Sequence, residues 1–163
     1  MRAMDFTTLI TILEKELTLY KSLYEITIQK TDIVKKGDVQ ALNQLMTNEQ
    51  KHVTSITALE KQRITELNKI FPERKENLPT ISECIQVAQG NQKTKLQEIF
   101  QQLVKILEEI KEQNRLNHEL VKHSLQFVNF SLNLFRPKFT NYNYGPNTDK
   151  QQTTTSSIFN SEV

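Results

Sequence analysis

Tryptophan is absent from this 163-residue chain, cysteine occurs once, glycine three times and proline four times. Each shortage excludes something. A single cysteine, Cys84, cannot close an intramolecular disulfide, which fits a reducing compartment. Few glycines and prolines leave few turns, so the regular elements must be long. Three scattered glycines cannot build a phosphate-cradling loop, and no serine nucleophile elbow is present. No charge sign dominates, since 21 basic and 19 acidic residues intermix to a net charge of +2. The basic stripe of a nucleic-acid binder is therefore missing. No apolar run approaches the roughly 20 residues that span a bilayer. Met1 to Phe6 lacks the charged region and apolar stretch of a signal peptide. These absences predict a cytoplasmic protein that is not an enzyme, holds no cofactor or metal, binds no nucleic acid and does not insert stably into membranes.

What is present is helical periodicity. From Asp5 to Val34, Phe6, Leu9, Ile10, Leu13, Leu17, Tyr20, Leu23, Tyr24 and Ile28 recur by threes and fours, one face of an α-helix. Gly37 stops that helix and Asp38 is placed to cap the next. A second helix is expected from Val39 to Phe71, with Val39, Leu42, Leu45, Met46, Val53, Ile56, Leu59, Leu67 and Ile70 as its stripe. Helices of roughly 30 residues are about 45 Å long, and the very short turn predicts an antiparallel hairpin. Pro72 to Pro79 is a charged loop. Thr80 and Glu83 have capping-box spacing for a short helix from Ile81 to Gln89, closed by Gly90. The last helix, Gln92 to Phe135, carries Leu96, Ile99, Leu103, Ile106, Ile110, Leu120, Phe127 and Leu134, widened by Phe100, Leu107, Val121, Val128 and Phe135.

Beyond Pro137 the composition turns polar, with NYNYGP at Asn141 to Pro146 and QQTTTSS at Gln151 to Ser157. Such runs bury too little surface to order themselves. The expected fold is all-α: an elongated antiparallel helical hairpin or bundle of three long helices, one short helix and a flexible C-terminal tail. Residues 1–136 form the helical bundle domain and residues 137–163 the tail.

Candidate chemistry is sparse. His118, Glu119 and His123 come near the HExxH zinc motif, but a spacing of five rotates the second histidine by roughly 140° from the first. His52 stands alone. Cys84 has no neighbouring cation in sequence to activate it, so it reads as a half-buried structural residue. Glu16, Glu49, Arg63, Asn114 and Asn117 fall on apolar faces. Either they lie solvated at the stripe's edge, or they pair across the bundle and set its register.

The informative stretch is Leu120 to Phe135. Leu125 and Leu132 leave the Leu120, Phe127, Leu134 line, and Phe130 lies on another side again. A helix apolar nearly all round must be covered nearly all round. Either the other helices cover it, or it exposes a patch for a partner or a second copy. In the tail, Phe139, Tyr142 and Tyr144, with Ile158 and Phe159, are sparse anchors that can fold onto a partner.

The pattern around Leu13, Glu16, Leu17, Tyr20 and Leu23 continues through Asp38, Leu42, Leu45, Glu49, Ile56, Leu59, Glu60 and Arg63. It resumes at Asn114, Asn117, Leu120, Ser124 and Leu125 and ends on Tyr144-Gly145. Taken together, these positions resemble the FlgN family of flagellar type III export chaperones, roughly from Phe6 to Tyr144. The resemblance implies a cytoplasmic chaperone that binds the hook-filament junction proteins FlgK and FlgL. It would keep them unassembled and deliver them to the flagellar export gate without hydrolysing ATP. It also implies substrate binding through the C-terminal helical region and tail. On the residues of this chain the expected partner-binding set is Leu120, Val121, Leu125, Phe127, Val128, Phe130, Leu132, Leu134, Phe135, Tyr142 and Tyr144. The alternative is a structural or adaptor coiled-coil protein that homodimerises through the same helix; a monomer or weak homodimer is expected.

Overall fold

The computed structural model describes residues 4–135, with side chains as far as His123 and at Gln126. The described residues form four helices and no strand: α1 (Thr7–Lys36), α2 (Val39–Ile70), α3 (Ile81–Val87) and α4 (Gly90–Phe135). They belong to two compact units, and the boundary between Arg115 and Leu116 falls inside α4. The tail expected over 137–163, and the domain boundary before it, lie outside the described residues.

In the first unit, Gly37 ends α1 at φ 68°, a left-handed conformation that costs glycine little. Its N–H donates to the Val34 carbonyl and that of Asp38 to Ile33, a Schellman pair that satisfies two terminal carbonyls. The Asp38 carboxylate then accepts from the Ala41 N–H at 3.0 Å and starts α2. The chain therefore reverses within two residues. Contacts between α1 and α2 run in opposite directions along the two helices: Lys30 meets Glu49, and Ser22 meets His52. The pair is antiparallel. Between α1 and α4 the order is the same in both helices. Phe6 bonds Gln92, Lys21 bonds Gln102 and Thr31 bonds Gln113, so these helices run parallel.

Parallel helices need a crossover, and residues 71–89 supply it. Phe71 lies against Phe6, ring centroids 6.2 Å apart, and α3 places Cys84 and Ala88 in the core. Thr80 caps α3 by accepting from the Glu83 N–H at 3.2 Å. The reciprocal arm of the expected capping box is diverted, because the Glu83 carboxylate accepts from Arg74 instead, at 2.6 Å. The end of α3 also differs from expectation. It stops at Val87, where buried Ala88 turns extended, and Gly90, at φ 59°, opens α4 rather than closing α3. A glycine that tolerates positive φ serves either end of a helix, which is why sequence alone misassigned it.

Phe6, Leu9, Leu13, Leu67, Leu96 and Cys84 are at most 2% exposed and anchor the core. Each large apolar side chain so enclosed contributes roughly 1.5–3 kcal/mol of transfer free energy. Flanked by α2 and α4, α1 is buried beyond its expected stripe, taking in Ile12, Ile26, Thr27 and Thr31. By contrast, α2 buries only Leu45, Ile56 and Leu67, a line that repeats every eleven residues, or three turns. The rest of its expected stripe, from Leu42 to Ile70, is half-buried, and Val39 is 67% exposed.

Candidate partner-binding surface

Along α4 in the first unit, Leu96, Ile99, Leu103, Ile106 and Ile110 form the buried line. Gln102 and Gln113, which bond α1, lie on one flank of that line. On the opposite flank, Phe100 is half-buried while Val104 and Leu107 are 39% and 43% exposed. At 100° per residue these three occupy one narrow strip. The widened edge of the α4 stripe is therefore not all core. Because α1 covers α4 from one side, Leu107 is left in solvent, and Ile64 on α2 is 41% exposed as well. Val104 was missed in the sequence reading, although its position four residues after Phe100 was a sufficient signal.

In the second unit, Leu116 is 38% exposed, Asn117 is buried, and Leu120 and Val121 are half-buried. His118, Glu119, Lys122, His123 and Gln126 are exposed. Leu125, Phe127, Val128, Phe130, Leu132, Leu134 and Phe135 belong to α4 by backbone, but their side chains lie outside those described, as do Tyr142 and Tyr144 altogether. Of the expected partner-binding set, Leu120 and Val121 are therefore the two whose surroundings are visible.

Among the polar residues on apolar faces, Glu49 pairs across the hairpin. Lys30 Nζ lies 2.9 Å from Glu49 Oε2. His52 Nε2 lies 2.7 Å from Ser22 Oγ, with its Nδ1 2.9 Å from the Asn48 carbonyl oxygen, so this histidine bridges the helices rather than standing alone. Further along, Glu16 is 3% exposed and its Oε1 has no hydrogen-bond partner. Burial first, then the charge of Glu60 and a hydrogen bond shared with it, push the Glu16 carboxyl up to about 7; Arg63 opposes them. Arg63 binds Glu60 through Nε and Nη2 at 3.0 and 2.8 Å. Tyr20 is raised by the same burial and the same two carboxyls.

Cys84 is more enclosed than expected, at 1% exposure, and burial followed by the Glu83 charge raises its thiol. That is the wrong direction for a nucleophilic thiolate. Among the described residues no group of three or more His, Cys, Asp or Glu side chains is arranged to hold a metal ion. A solvent-open depression lined by Pro72, Glu73, Arg74, Lys75, Glu76 and Asn77 brings charged side chains together on a loop. Among the described residues no helix is long and apolar enough to cross a membrane.

The chain has counterparts among known proteins at the level of sequence. YvyG of Bacillus subtilis (strain 168), an uncharacterised protein, is 31% identical over 132 residues, covering 81% of each chain. No solved structure matches. The family model described as "FlgN protein" matches residues 1–152, which includes all four helices and both tail tyrosines of the expected site. This chain belongs to the FlgN family.

Proposed function

We propose that this protein is a cytoplasmic chaperone of flagellar type III export. It binds the hook-filament junction proteins FlgK and FlgL, keeps them unassembled and delivers them to the export gate. The observation that carries this reading is the family match over residues 1–152. It extends through the distal part of α4 and through Tyr142 and Tyr144, where the sequence holds more apolar residues than one helical stripe accounts for. The partner surface comprises Leu120, Val121, Leu125, Phe127, Val128, Phe130, Leu132, Leu134, Phe135, Tyr142 and Tyr144. A helix with apolar residues on several sides can complete a bundle with a long helical segment of the partner and bury its adhesive face. Binding the unassembled partner then holds it back from assembly by mass action.

Deleting residues 120–163 and measuring FlgK and FlgL binding by calorimetry tests the proposal. Loss of binding with the helical signature of the remainder intact is expected. Undiminished affinity would remove the C-terminal site, and failure of the full chain to bind either protein would remove these partners. Sedimentation at micromolar concentration addresses the adaptor alternative: a tight dimer that persists when FlgK or FlgL is added would favour it.

A further inference from the structure

Two carboxyl groups and one guanidinium share the seam between α1 and α2. Within one helix, Glu60 Oε2 already accepts from both Nε and Nη2 of Arg63. Arg63 is thereby committed to Glu60. Facing them from α1 is Glu16, enclosed to 3% exposure with Oε1 unpartnered. An ionised Glu16 would place a second negative charge beside Glu60, out of water and with its cation already engaged; such a charge is costly. A protonated Glu16 removes that charge and donates its O–H toward Glu60, tying α1 to α2 through one acid–carboxylate hydrogen bond.

We propose that Glu16 is a proton-operated latch on the α1–α2 hairpin, holding the helices together as a neutral acid and loosening the seam when its proton leaves to solvent. The groups that face it are consistent with a single titrating site. On α1, Tyr20 is raised above its ordinary value and stays neutral near pH 7. On α2, Glu60 and Arg63 are the charges that act on Glu16. On α3, Cys84 lies near Arg63 and is itself raised, so it too stays neutral. Among the described residues no α4 charge acts on Glu16. The carboxyl's rise from 4.5 to about 7 sets the working range. The folded state holds a proton that the unfolded chain releases near its ordinary value. Stability contributed by the latch is thus complete below about pH 4.5, declines as pH rises to about 7 and is gone above it. Opening the seam would uncover the core side chains on either side of Glu16, Leu13 and Leu17.

The test compares the full chain with its Glu16→Gln variant, whose amide keeps the size and the donor but cannot titrate. Thermal unfolding at pH 5, 6, 7 and 8 should show the wild type losing stability relative to the variant up to about pH 7, with a constant gap beyond. Amide exchange around Glu16 and Glu60, corrected for the intrinsic effect of pH, should rise roughly tenfold between pH 6 and pH 8 in the wild type. In the variant it should not change. A gap equal at pH 5 and pH 8, or corrected exchange independent of pH in the wild type, would overturn the latch. Carboxyl carbon NMR of the wild type keeps the proposal testable even should the variant not fold. A Glu16 resonance titrating near pH 7 supports the proposal, and one already ionised at pH 5.5 sinks it.

Discussion

Lys30 Nζ and Glu49 Oε2 lie 2.9 Å apart across the α1–α2 seam, each side chain about one-fifth exposed. Partial burial raises the pair above an ordinary surface contact, because screening by water is reduced on both sides. A double-mutant cycle with Lys30→Ala and Glu49→Ala, read by urea unfolding, should give a coupling of about 1 kcal/mol. The coupling should survive 0.5 M salt in large part, whereas a fully exposed pair would be screened away.

Core and exposed leucines predict opposite responses to truncation. Leu13 and Leu96 are both 0% exposed, so Leu13→Ala or Leu96→Ala should destabilise by roughly 2–5 kcal/mol. Leu107, at 43% exposure, loses little on becoming Ser; the change should stay within about 0.5 kcal/mol. Chemical denaturation midpoints distinguish these outcomes directly. A large loss at Leu107 would mean that its flank is covered by another chain in solution.

The reversal between α1 and α2 rests on two adjacent residues with separate roles. At Gly37 an added Cβ meets nothing within 4 Å, so Gly37→Ala costs only the strain of a left-handed backbone, about 1 kcal/mol. Asp38→Ala removes the oxygen that accepts from the Ala41 N–H and should cost about 1 kcal/mol. Because the residues are neighbours, the double variant should depart from the sum of the two. Calorimetric melting of all three proteins measures that departure.

Much of this architecture is legible from residue order. The alternation of threes and fours marks α1, α2 and α4, and Gly37 with Asp38 marks the turn between the first two, because helical period and capping are local physics. The crossover was less legible. Gly90 suits the end of one helix as well as the start of the next, and the extended backbone of buried Ala88 decided which. Nor does periodicity say how many neighbours a face has. Ile12 and Ile26 lie outside the expected stripe of α1 yet are buried, since two helices flank it. Val104 and Leu107 are exposed because α4 meets α1 on the other flank. For the expected partner site, Leu120 and Val121 are half-buried, while its remaining members are legible as sequence pattern alone.

Glu16 shows the division most plainly. Sequence placed it on an apolar face and left two readings open, solvated edge or pairing across the bundle. Tertiary structure removed the first by burying Glu16 and setting the charges of Glu60 and Arg63 of α2 against it. Residue order alone establishes that the chain is helical, where its first turn falls, which residues carry its apolar stripes and which family pattern it follows. Those properties depend on neighbours within a few residues. Which stripe edges are covered and which polar groups meet is set by tertiary packing, because burial and charge depend on residues brought together from distant parts of the chain.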